Sequence, residues 1–131
     1  MKYSKFMIIL FFVLLLGLSH QLLSSRNKVV KLSVKDVDYV EIIIFQQNTM
    51  KTIQDPGALK DIVKGLNRVR GKETQKDNSV ENINYINIYK KRGDRIEVVK
   101  SGLVLRVDNH WYNLSKRSSH VIDQIFKRYM Q

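Results

Sequence analysis

Residues 83–114 read Ile-Asn-Tyr-Ile-Asn-Ile-Tyr-Lys-Lys-Arg-Gly-Asp-Arg-Ile-Glu-Val-Val-Lys-Ser-Gly-Leu-Val-Leu-Arg-Val-Asp-Asn-His-Trp-Tyr-Asn-Leu. Four short runs rich in β-branched and aromatic residues are separated by turn clusters: Ile83–Tyr89 by Lys91-Arg92-Gly93-Asp94, Arg95–Lys100 by Ser101-Gly102, and Leu103–Val107 by Asp108-Asn109, with His110–Leu114 last. Gaps of two to four residues predict antiparallel hairpins, because a parallel pair needs a crossover of a dozen residues or more.

Working outward, Tyr39–Gln46 carries the residue types of a strand. Val40, Ile42 and Ile44 fall on one face and Ile43 and Phe45 on the other, which predicts a strand that is central or covered on both sides. Gln47-Asn48-Thr49 predicts a turn, and Met50–Gln54 its returning arm. Asp55-Pro56 then announces a helix: an N-cap carboxylate, and a proline where the missing N–H is an unpaired donor anyway. Leu59, Ile62, Val63, Leu66 and Val69 share one helical face. Gly71 is expected to close this helix at positive φ, and Gly65 to allow close packing on a strand. The polar stretch Gly71–Asn82 predicts an exposed loop. At the other end, Ser115–Ser119 offer capping hydroxyls, and Ile122, Ile125, Phe126 and Tyr129 line a second helix. The expected order is β-β-α-β-β-β-β-α. This is an α+β class, with one small antiparallel-sheet domain over residues 37–131 and helices packed on its sheet. Residues 26–36, which include Val29, Val30, Leu32 and Val34, read as a linker or an edge strand.

Residues 1–25 have a different character. Lys2 and Lys5 precede Phe6–Leu18, 13 residues without charge, amide or hydroxyl, which is the layout of an export signal or signal-anchor helix. As a helix the run reaches about 20 Å at about 1.5 Å per residue, against a hydrocarbon core of about 30 Å. Cleavage before His20 fits Gly17-Leu18-Ser19, with small residues at the two required positions. An uncleaved anchor instead recruits Leu22 and Leu23, so that residues 6–23 contact the membrane. Both outcomes place the domain outside the cytoplasm, membrane-anchored or released.

The chain has no cysteine, which excludes thiol catalysis, thiolate metal sites and a disulfide scaffold. Its formal net charge is +11, a field that attracts polyanions. Outside the cytoplasm these are anionic lipids and wall polymers, and no nucleic acid is expected. The basic clusters are Arg68, Arg70 and Lys72 after the first helix, Lys90, Lys91, Arg92 and Arg95 around one hairpin, and Lys116 and Arg117 before the second helix. Together these nine residues form the candidate basic surface, with Tyr85, Tyr89, Trp111 and Tyr112 as accompanying aromatics. His20, His110 and His120 lack the spacing of a zinc site. Asp36-x-Asp38 has too few acidic ligands for a calcium loop. No nucleophile elbow, Ser-x-x-Lys dyad or glycine-rich phosphate loop occurs in the exported part. No catalytic residue, metal or cofactor is therefore assigned.

Three stretches carry a resemblance: Ile53-x-Asp55-Pro56-x-x-Leu59-x-x-Ile62-Val63-x-x-Leu66, then Gly93-Asp94-Arg95-Ile96-Glu97-Val98, then Leu103–Leu114 with Asn109-His110-Trp111-Tyr112. Over roughly Val37–Gln131 the chain resembles uncharacterised families of small exported or membrane-anchored α+β domains from Gram-positive bacteria. The resemblance implies fold and location, and no activity. The leading functional expectation is a non-catalytic binding module of unknown partner at the bacterial envelope, tethered or released, that binds a protein or an envelope polymer through its sheet or basic surface. The alternative is a cationic domain that binds anionic membrane or wall polymers without a protein partner. A small hydrolase is the third and weakest reading.

Overall fold

Alternation in β1 (Val37–Ile44) turns Val40 and Ile42 fully inward and leaves Tyr39, Glu41 and Ile43 on the opposite face. The computed structural model that shows this describes residues 5, 7–16, 27–77 and 80–130. The other strands are β2 (Thr49–Ile53), β3 (Gly71–Thr74), β4 (Asn84–Lys90), β5 (Arg95–Ser101), β6 (Val104–Val107) and β7 (His110–Leu114). They form one antiparallel sheet in the order β2-β1-β4-β5-β6-β7-β3. The helices are α1 (residues 7–16), α2 (Pro56–Arg68) and α3 (Lys116–Tyr129).

Both α2 and α3 start as the sequence predicts. Asp55 accepts from the Ala58 amide at 2.9 Å with Pro56 in the first turn, and Ser115 Oγ accepts from the Ser118 amide at 3.2 Å. Such caps contribute about 1 kcal/mol each. Leu59, Ile62, Val63 and Leu66 of α2 and Ile122, Ile125 and Phe126 of α3 bury against Val40, Ile42, Ile86, Ile88, Val98 and Leu105 of the sheet. The α+β class with helices packed on an antiparallel sheet is thus observed.

Five local expectations are corrected. The first four residues of the expected Gly71–Asn82 loop are β3, an edge strand paired with β7 from Gly71↔Leu114 to Thr74↔Trp111. The order gains a strand accordingly, to β-β-α-β-β-β-β-β-α. Gly71 is not in the left-handed region, which among the described glycines holds only Gly93 and Gly102. Its reason is steric: an added Cβ would lie 2.9 Å from Tyr112 Cβ, 3.0 Å from Val29 Cγ1 and 3.1 Å from Leu114 Cδ2. Gly65 does allow a close approach, but to Ile125 and Val121 of α3 rather than to a strand. Phe45 leaves β1 for a 3₁₀ turn over Phe45–Gln47 and is 71% exposed. Residues 29–34 form no strand: Lys28 makes an isolated bridge with Arg70, Val34–Asp36 is a 3₁₀ turn, and Val29 and Val30 are buried in the core.

A buried cation joins the layers. Lys100 points to the helix-covered face with its side chain 5% exposed, and its Nζ donates to Gly102 O and Asp123 Oδ1, each at 2.7 Å. Among the described residues, no helix is long and apolar enough to cross a membrane. The expectations for Lys2, the cut after Ser19, and Leu22 and Leu23 lie outside the described residues.

Candidate functional site

With both packed helices on the face of Val40, Ile42, Ile86 and Ile88, the other sheet face has no helix packed on it among the described residues. Strand register then decides which side chains meet there, because directly paired residues point the same way. One row runs across all seven strands: Met50, Ile43, Tyr85, Val99, Arg106, Trp111 and Thr74, each paired with the next. At about 4.8 Å between strands the row is roughly 30 Å long. Val99 at its centre is buried, and Ile43, Tyr85, Arg106 and Trp111 flank it half-buried. β1 is therefore apolar on both faces without a helix over its second face, and of the two expected alternatives it is the central one, lying between β2 and β4.

Beside this row, Glu41, Asn87 and Glu97 are paired in register, and beyond them Tyr39, Tyr89 and Arg95. The Tyr39 and Tyr89 rings stack with centroids 4.4 Å apart and an interplanar angle of 14°. The Tyr89 hydroxyl donates to Glu41 Oε1 at 2.8 Å, and this bond is the main reason the phenol pKa is raised. Glu97 takes Arg95 at 3.4 Å and also pairs with Arg106. Between the two carboxylates, Asn87 is buried, and its Oδ1 has no hydrogen-bond partner among the described residues. At the end of the long row a cleft of about 470 Å³ is lined by Glu73, Thr74, Lys76, Arg106, His110 and Trp111. There His110 Nδ1 lies 3.4 Å from Glu73 Oε1.

The nine basic residues expected to form a surface are dispersed. Lys90, Lys91, Arg92 and Arg95 surround the β4–β5 turn, where Asp94 accepts from Arg92 at 2.8 Å and forms an ion pair with Lys90 at 3.6 Å. The Arg92 guanidinium holds the Asp94 carboxyl below the usual carboxylate range. Arg70, Lys72, Lys116 and Arg117 lie at the opposite end of the sheet, beside the β3–β7 edge, while Arg68 is exposed on α2. Arg70 is structural: its guanidinium donates to the carbonyls of Asn67 at 2.7 Å and Val69 at 3.2 Å, capping α2. The two groups are roughly 20 Å apart, from about 3.4 Å per residue along a strand and about 4.8 Å between strands. Exposed charges that far apart act separately at a screening length of about 8 Å. Of the four expected aromatics, Tyr85, Tyr89 and Trp111 share the helix-free face, whereas Tyr112 is on the covered face with its phenol pushed up by burial.

Sequence reasoning did not single out Arg106, Asn87, Glu41 or Glu97. Their signal was the period-two alternation of Tyr85, Asn87 and Tyr89 between Ile86 and Ile88, which marks a non-core face. Among the described residues, no three His, Asp and Glu side chains converge as a metal site. No protein-family model, curated protein or solved structure matches this chain.

Proposed function

We propose that this chain is a non-catalytic binding domain, exported or membrane-tethered at the bacterial envelope, that receives a protein partner on the helix-free sheet face. The observation that carries the reading is the row Ile43, Tyr85, Val99, Arg106 and Trp111, assembled by register on a face without a packed helix. Tyr, Trp and Arg around an apolar centre are the residues that dominate protein interfaces. The face is also close to charge balance, since Arg95 and Arg106 share Glu97 and Glu41 accepts from Tyr89. Those polar groups are engaged with one another, which suits a rigid contact surface better than a reacting centre. The envelope setting is supported by the basic residues and apolar run at the start of the sequence.

The test is site-specific photocrosslinking of the full chain in its own cells. A photoreactive residue at Tyr85 or Trp111 is expected to give one discrete protein adduct, absent when the residue is at Lys60 of α2 and lost on Arg106→Glu. Equal adducts from Lys60, or none from the sheet face, would overturn the reading.

A further inference from the structure

The charge that the sheet face lacks is concentrated on the helices. Together α2 and α3 carry seven Lys and Arg against two Asp. All seven cations are exposed. Both acids are used internally: Asp61 accepts from Arg128 and from the Tyr129 hydroxyl, and Asp123 accepts from buried Lys100. Lys60, Lys64, Arg68, Lys116, Arg117 and Lys127 form no ion pair among the described residues.

Their arrangement follows from helical spacing. Lys60, Lys64 and Arg68 are four apart and form one ridge on α2, as Lys116, His120, Gln124 and Arg128 do on α3. The helices run antiparallel, with Asp61 reaching Arg128 and the Arg70 amide donating to Ser118 Oγ at 2.9 Å. The ridges therefore face each other across a shallow groove of about 260 Å³, floored by Gly65, Val121 and Ile125. Gly65 lets the helices approach closely enough to keep that floor shallow.

A second observation says what would lie against this surface. The chain also carries α1, whose side chains from Met7 to Leu16 are all apolar and 44–68% exposed. A helix apolar on every side requires a non-aqueous environment. At about 1.5 Å per residue its ten described residues reach about 15 Å, about half of a hydrocarbon core of about 30 Å. A lipid phase and unpaired cations on one broad, shallow surface are complementary to an anionic bilayer, where basic residues associate with headgroup phosphates.

We infer that the α2–α3 face is a docking surface for an anionic phospholipid bilayer, with Lys60, Lys64, Arg68, Lys116, Arg117 and Lys127 against headgroup phosphates and the sheet face directed away from the membrane. This stands independently of any protein partner on the sheet.

The chain lacks cysteine, so a single introduced thiol reports one position. Full-length Gln124→Cys and Thr52→Cys, each carrying an environment-sensitive fluorophore, are mixed with phosphatidylcholine vesicles with or without phosphatidylglycerol. Gln124 lies in the groove and Thr52 on the helix-free face. The probe at position 124 should be shielded from an aqueous quencher only on phosphatidylglycerol vesicles, and the probe at 52 should stay accessible on both. In the Gln124→Cys chain, Lys64→Gln with Arg68→Gln should weaken the shielding roughly 25-fold, about fivefold for each basic residue removed. The control pair Lys72→Gln with Lys91→Gln removes the same charge elsewhere and should leave it within about twofold. The inference is overturned by equal quenching on both vesicle types, by shielding of position 52, by the control pair acting as strongly, or by inorganic polyphosphate shielding position 124 as well as lipid does. Failure here leaves the crosslinking result at Tyr85 unaffected, so the two readings fail separately.

Discussion

Two glycines that look alike in sequence should respond oppositely to the same added methyl. Gly71→Ala places a Cβ at 2.9, 3.0 and 3.1 Å from three side-chain carbons, against about 3.5–4.0 Å for an unstrained carbon contact. The nearest of these, Tyr112 Cβ, belongs to the strand paired with β3, so relief requires moving the ladder itself. Overpacking of this kind costs about 1–3 kcal/mol, and the lower chain entropy of alanine returns about 0.5 kcal/mol. A net loss of about 1.5 kcal/mol lowers Tm by about 8 °C in a domain of this size. At Gly65 the methyl meets Ile125 Cδ1 at 3.2 Å, the end of a side chain that can rotate. Helix propensity favours alanine there by about 1 kcal/mol, so Gly65→Ala should be neutral or raise Tm slightly. Thermal unfolding followed by circular dichroism compares the two. Gly71→Asn adds the discriminating case: asparagine tolerates the left-handed conformation of a helix cap but is larger than alanine, so the steric account requires it to be worse than Gly71→Ala. If asparagine is the milder replacement, or if Gly65→Ala is the more damaging alanine, the packing argument is wrong.

Two further outcomes follow from polar groups. The Asp61 pKa is lowered chiefly by the Tyr129 hydroxyl, with help from Arg128; a carboxylate depressed in the folded state stabilises above its unfolded pKa of about 3.9, and that contribution fades as pH falls through the lower folded value. Tm measured from pH 6 downward should therefore fall less steeply for Asp61→Asn than for the native chain, and parallel curves would contradict this. Asn87→Val removes a buried acceptor that has no partner among the described residues, which carries a penalty of about 1–3 kcal/mol. Urea unfolding should show a gain of about 1 kcal/mol, with weaker crosslinking at Tyr85, whereas a destabilised variant would mean that the carboxamide is satisfied in solution.

What the sequence revealed depended on whether an element announces itself through apolar residues. Asp55-Pro56 and the 3.6-residue period located α2, and His110–Leu114 coincides with β7. β3 was silent because Gly71-Lys-Glu-Thr74 contains no apolar side chain. It is held by main-chain pairing to β7, and edge strands need not alternate. The same limit hid the site. Basic residues were grouped by proximity in sequence, but hairpins carry neighbours to opposite ends of the sheet, which separates Lys90 from Lys116. Arg106 and Trp111 are brought together by β6–β7 register, information that requires the turn at Asp108-Asn109 to be counted to the residue. A one-residue slip would have put Arg106 into the core.

Register also explains why the two proposed surfaces do not interfere. Every strand contributes alternate residues to the two faces of the sheet, so the apolar residues that hold α2 and α3 leave the intervening positions to carry Tyr85, Asn87, Glu97 and Arg106. On the helices, the apolar stripe faces the sheet, leaving the cations on the far side. Aromatic and paired groups thus end on one outer surface and unpaired cations on the other, with the core between them. Among the described residues Lys100 is the one cation drawn into that core, and it is matched at the edge of the core by Asp123. A ligand held by charge at α2–α3 would be weakened by salt, because exposed charges are screened. A partner seated on Val99, Tyr85 and Trp111 would depend mainly on apolar burial, which salt does not screen. The difference in salt response therefore separates the two surfaces within a single chain, before any variant is made.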